Sequence, residues 1–115
     1  MIVTLCGSTR FKKEFEEANM YLTLNNHIVL APGAYCHALG ITLDKETKYA
    51  LDLLHKEKIK MSDKVIIICP HNYIGESTQS EIEYANSLNI PIEYWTEQQL
   101  LQFPQFYKTT NQVNL

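Results

Sequence analysis

The sequence predicts an α/β fold, a three-layer sandwich whose short parallel sheet has the strand order 2-1-3-4. Short apolar runs alternate with stretches of helical period along most of the chain. The run Lys64-Val65-Ile66-Ile67-Ile68-Cys69 lacks polar alternation, as a central parallel strand covered on both faces does. A chain of 115 residues, 45% hydrophobic and 20% charged, suffices for one domain and is short for two. Right-handed crossovers then make 2-1-3-4 the simplest layout, flavodoxin-like or Rossmann-like in arrangement.

The elements follow in order. Ile2-Val3-Thr4-Leu5-Cys6 reads as a strand broken by Gly7-Ser8-Thr9, after which Phe11, Phe15, Ala18 and Leu22 recur at helical spacing. A second strand, residues 27–31, stops at Pro32-Gly33, and residues 34–42 show no period and read as a loop. From about Asp44 to Met61 a long helix is expected to turn Ala50, Leu51, Leu54 and Met61 toward the sheet. The apolar third strand ends at Pro70, and a turn-rich stretch from His71 to Ser77 leads into a helix holding Ile82, Ala85 and Leu88. Residues 91–95 give a fourth strand. Thr96 and Gln99 form a capping box for a last short helix closed by Pro104. One domain over 1–104 is expected, with 105–115 a C-terminal tail or an arm that docks on another subunit.

Ten Lys and Arg against thirteen Asp and Glu leave a net charge of −3, which argues against duplex nucleic acid and anionic membranes as partners. No apolar run approaches the ~20 residues of a membrane span, and the strand-like N-terminus has no secretory leader pattern, so a cytoplasmic protein is expected. Cys6, Cys36 and Cys69 are an odd set without a CxxC pair, which indicates neither a disulfide framework nor a zinc knuckle.

Ligands of open parallel sheets sit beyond the carboxyl ends of the strands, where the strand order reverses. That rule selects Gly7-Ser8-Thr9-Arg10-Phe11 and the loop 71–78, both running into helix N-termini that suit an anion, with Arg10 adding charge. A phosphorylated or sugar-bearing small molecule fits this edge. The pattern is neither a Walker loop nor a GxGxxG fingerprint, which disfavours P-loop ATP hydrolysis and Rossmann-type NAD binding. Ser8 or Thr9 as a plain helix cap explains the first loop equally well. In the second, Glu81 is expected in the first helical turn at the cleft mouth, as an ionised nucleophile or as the capping-box partner of Thr78. Glu76 and Glu83 are rival carboxylates, and Glu83, about 200° around the helix from Glu81, is expected in solvent.

The strings Leu5-Cys6-Gly7-Ser8-Thr9-Arg10-Phe11 and Tyr73-Ile74-Gly75-Glu76-Ser77-Thr78, with Ser80-Glu81-Ile82-Glu83-Tyr84-Ala85 and Ser62-Asp63-Lys64-Val65-Ile66, resemble the nucleoside 2-deoxyribosyltransferase superfamily. That superfamily includes the deoxynucleoside 5′-monophosphate N-glycosidases, and the resemblance spans roughly residues 2–95. It implies a flavodoxin-like fold, Glu81 as the nucleophile that attacks the anomeric carbon, and a pocket lined by Gly7, Ser8 and Arg10. Thr9, Phe11, Tyr73, Gly75, Ser77 and Thr78 complete the expected substrate-binding set.

The chain departs from the family pattern in two respects, the first at His55 and the second around the nucleophile motif. His55 stands where the family has an Asp, and is either a donor to the leaving base or a sugar hydroxyl or a packed helix histidine. Glu83 replaces a small residue, and no Ser aligns with the family's phosphate-binding Ser, for which Ser77 or Thr78 could substitute. Asp63 precedes its strand and reads as structural. The expected function is cleavage of an N-glycosidic bond in a nucleoside or nucleotide, by hydrolysis or base transfer, without metal or cofactor. A non-catalytic nucleotide-binding module, or a small interaction protein with a vestigial cleft, is the alternative. A homodimer or higher homo-oligomer is implied, with Tyr21, Tyr35, Tyr49, Phe103 and Phe106 as aromatic contacts.

Overall fold

The computed structural model describes residues 1–102, and the expectations for Phe103, Pro104, Phe106 and the 105–115 arm lie outside them. Four strands, β1 (Ile2–Gly7), β2 (Ile28–Leu30), β3 (Lys64–Ile68) and β4 (Ile92–Trp95), form one sheet in the order β2-β1-β3-β4. Every pairing is parallel. Helices α1 (Lys12–Leu24), α2 (Lys45–Lys60), α3 (Glu76–Ser87) and α4 (Glu97–Leu100) supply the crossovers and the last turn. This is the α/β, flavodoxin-like architecture that the strand and helix alternation predicts.

Side-chain alternation in β1 and β3 divides the core into two layers. Val3, Leu5, Ile66 and Ile68 pack with Phe15, Ala18 and Leu22 of α1 and with Leu100. Cys6, Val65 and Ile67 face the other way, against Ile59 of α2 and Ile82 and Ala85 of α3. Thr4 shares that second face, where its hydroxyl donates to the Lys58 carbonyl at 3.1 Å. The side toward α2 and α3 therefore carries polar groups within the core, and the side toward α1 is apolar.

Helix α2 turns a different face inward than its hydrophobicity suggests. Leu54 and Met61 are more than half exposed, Ala50 is also exposed, and the buried positions are His55 and Ile59 with Leu51 half-buried. The inward stripe Leu51-His55-Ile59 has a helical period but meets Thr4, Cys6 and the cleft, so its middle position is polar. Asp44 caps this helix, accepting from Thr47 N at 2.7 Å. The Thr96 and Gln99 capping box is present as the sequence predicts. Asp63 is structural: it accepts from Ile2 N at 2.7 Å, while its own amide donates to the Ile2 carbonyl at 2.8 Å.

Gly7 ends β1 at φ +154°, and a Cβ built there meets the Ile68 carbonyl oxygen at 2.6 Å. Only glycine lets the two central strands stay paired to this point. Gly7→Ala is expected to destabilise the fold by about 2 kcal/mol or more, read as a lower urea midpoint, whereas an unchanged midpoint would show that β1 and β3 can part here without cost.

Candidate active site

A cleft of about 640 Å³ opens beyond the carboxyl ends of the strands, within the usual size range of small-molecule sites. It lies where the strand order reverses between β1 and β3. The loop after β1 contributes Gly7, Ser8, Thr9 and Arg10, and the segment after β3 contributes Tyr73, Gly75, Glu76, Ser77, Thr78 and Glu81. Phe11 is the one expected site residue that does not line it. That ring packs edge-on to Tyr73, with centroids 6.0 Å apart, and against the α1-side core.

Ser8 and Thr9 are not helix caps. The N-cap of α1 is Phe11, with no side-chain hydrogen bond. Ser8 Oγ instead accepts from Arg10 Nε at 3.0 Å, and Arg10 Nη2 donates to Tyr73 Oη at 3.0 Å. The guanidinium also stacks over the Tyr73 ring, 4.2 Å from its centroid. Arg10 is thus held by both loops, and an anion reaching it meets a fixed planar cation. Thr9 Oγ1 accepts from His37 N at 3.3 Å and ties the first loop to the segment after β2.

Helix α3 starts at Glu76, two residues before Thr78. Gly75 is its N-cap and Thr78 is already a buried helical residue, so no capping box joins Thr78 to Glu81. Glu81 falls in the second turn, not the first, and is 7% exposed on the cleft floor. Burial raises its carboxyl to about 7; the Cys6 thiol facing it opposes the rise, Asp52 adds to it, and Lys56 and Lys48 oppose it. Glu76 also lines the cleft, at its exposed rim, while Glu83 points to solvent as expected.

His55 reaches the same floor. It is 7% exposed, and its Nε2 lies 3.4 Å from Cys6 Sγ. Burial, helped by the Lys58 charge, lowers the imidazole to about 4 against the opposing pull of the Leu5 carbonyl and Asp52. The ring is therefore neutral at physiological pH, able to hydrogen-bond but without the extra proton of a general acid.

Sequence reasoning missed two parts of this site. Residues 32–43 cover one side of the cleft with Pro32, Ala34, Cys36, His37 and Ile41 among others, and their irregular sequence carries no period to read. Lys48, Leu51 and Asp52 line it from α2 beside His55. Their spacing with His55, seven residues over two helical turns, was the available signal. Lys48 Nζ donates to Ser77 Oγ at 2.8 Å and lies 3.4 Å from Asp52, bridging α2 to the start of α3. No family model matches this chain, and no curated protein matches it.

A carboxyl raised in the folded state binds its proton more tightly than in the unfolded chain, so stability falls as pH rises from the ordinary 4.5 through about 7. His55 acts on the acid side, its neutral burial losing stability as pH drops from 6.5 toward about 4. Glu81→Gln is expected to stabilise the fold by about 2–3 kcal/mol near pH 8 and by roughly 1 kcal/mol or less near pH 5. Urea denaturation of both proteins in EDTA-containing buffer measures the difference; an effect independent of pH would mean that the carboxylate is solvated.

Proposed function

We propose that this chain cleaves the N-glycosidic bond of a nucleoside, a deoxynucleoside or the corresponding 5′-monophosphate, with Glu81 as nucleophile. The observation that carries the reading is a buried carboxylate on the floor of a ligand-sized cleft at the strand-order reversal. The resemblance of residues 2–95 to the nucleoside 2-deoxyribosyltransferase superfamily supports the same residue. Fold likeness alone would not choose an activity.

In this reading a Glu81 oxygen attacks C1′ as the bond to the base nitrogen breaks, through an oxocarbenium-like transition state. The bonding pair leaves with the base, which takes up a proton from solvent. The resulting glycosyl ester is resolved by water in hydrolysis or by a second base in transfer, and either returns the carboxylate. Binding energy from Arg10 on a phosphate or sugar oxygen holds C1′ over Glu81. His55 serves as a neutral hydrogen-bonding group to the base or a sugar hydroxyl. Ser77 and Thr78, at the start of α3, are the hydroxyl donors for the phosphate.

The reading includes work in the cytoplasm and assembly into a homodimer or larger homo-oligomer. No described helix is long and apolar enough to cross a membrane, and the three cysteines are free. Two of the expected contact aromatics are spent within the chain, Tyr21 against Trp95 and Tyr35 against Phe15. Tyr49 stays 65% exposed beside Leu53 and Leu54, and supplies the subunit contact instead.

Wild type and Glu81→Gln incubated with a panel of nucleosides, deoxynucleosides and 5′-monophosphates, with and without a second base, test the activity by chromatography of the free base. Release by wild type and a loss of about a thousandfold or more in the variant is the expected result. Thermal stabilisation by a nucleotide without turnover would replace the enzyme with a binding module, and equal release by both proteins would remove Glu81 from the chemistry.

A further inference from the structure

We propose that Cys6, His55 and Glu81 form a binding site for a zinc-class divalent cation, with one thiolate, one imidazole and one carboxylate as ligands and the fourth position open to the cleft. Three separate elements bring these groups together. Cys6 projects from the α2/α3 face of β1, His55 from the inward stripe of α2, and Glu81 from the second turn of α3. Their ligand atoms all lie within 4.8 Å of one another.

The spacing suits a small tetrahedral cation. With a zinc–sulfur bond of ~2.3 Å and a zinc–nitrogen bond of ~2.0–2.1 Å, two such ligands stand ~3.6 Å apart. Cys6 Sγ and His55 Nε2 are 3.4 Å apart before any adjustment. A mixed sulfur, nitrogen and oxygen donor set selects zinc or its neighbours over magnesium and calcium, which prefer oxygen alone.

The environment points the same way. His55 Nε2, the nitrogen that faces the ion, already adjoins the Cys6 thiol, so two of the three ligand atoms meet without any other side chain between them. Thiolate and carboxylate together balance a dication, so the occupied site adds little net charge to the interior. His55 and Glu81 line the cleft and give the ion a way in, whereas Cys6 lies beneath them at 0% exposure. On binding, Cys6 releases its proton to solvent and Sγ, Nε2 and one carboxylate oxygen each donate a lone pair, with no electron transferred.

Occupancy takes the oxygen with which Glu81 would attack C1′, so the cation acts as an inhibitor. That consequence rests on the glycosidic reading; the binding itself does not. Sequence spacing could not reveal this site, because Cys6 and His55 are separated by 49 positions and form no short ligand motif.

The test uses the full chain stripped with chelator and titrated with cobalt, followed by displacement with zinc. The expected result is one ion per chain, with a near-ultraviolet thiolate-to-cobalt charge-transfer band and tetrahedral visible bands. Cys36→Ala/Cys69→Ala, which keeps Cys6 as the sole thiol, retains the band; Cys6→Ser loses it. His55→Gln and Glu81→Gln weaken binding by about a hundredfold or more, since even outer-shell partners of a metal cost 10–100-fold. Absence of the band in wild type overturns the proposal, as does its survival in Cys6→Ser, its loss in Cys36→Ala/Cys69→Ala, or full affinity in both ligand variants. Zinc binding by a chain that releases no base from any substrate leaves this site standing and overturns the glycosidic reading alone.

Discussion

The pairing of β1 with β3 is the constraint on which the rest of the molecule depends. It runs over five residue pairs, from Val3 opposite Lys64 to Gly7 opposite Ile68, and ends where the approach of the strands admits no side chain. Because β1 also pairs with β2 on its other edge, the crossovers leave in opposite directions from its two sides. A crevice opens at that divergence, and the loops after β1, β2 and β3 all border it. The same register fixes which residues of β1 face α2 and α3, and so it places Cys6 beneath the crevice.

Polar residues then occupy a layer that packing alone would fill with aliphatic side chains. Thr4, Cys6, His55 and Glu81 lie on the α2/α3 side, among Val65, Ile67, Ile59 and Ile82. Burying a carboxyl costs stability unless its charge is compensated, and here the compensation is partial. Such a cost persists where a site uses it, and the strain at His71 and Asn72, both left-handed at the end of β3, falls at the same edge. The α1 side of the sheet is apolar, and the α2/α3 side holds the buried polar groups that border the cleft.

The sequence made the strands legible because burial on both faces leaves an unbroken aliphatic run, as in Lys64–Ile68, and Pro and Gly mark the ends. It made the crevice legible because strand order alone locates the switch point. The inward face of α2 was not legible. Hydrophobicity favours Leu54 and Met61, but the surface that α2 covers includes Thr4, Cys6 and the cleft, so His55 turns inward and Leu54 stays in solvent. Two capping boxes of the same pattern had opposite outcomes. Thr96 directly follows β4 and caps its helix, whereas Glu76 and Ser77 before Thr78 are compatible with a first helical turn and let α3 begin at Glu76, capped by Gly75. The strand-order rule and the helix start brought Glu81 to the cleft mouth as nucleophile or cap, and the family resemblance favoured the nucleophile; its burial came from the structure.

The most direct test of Glu81 as nucleophile is a trapped glycosyl ester. The 2′-fluoro analogue of whichever nucleoside or nucleotide releases its base disfavours the positive charge of the oxocarbenium-like transition state, and slows resolution of the ester by water. Intact-mass measurement is predicted to show one sugar-sized adduct per chain, and peptide mapping to place it on Glu81. Base release without an adduct, or an adduct on another residue, would contradict the account.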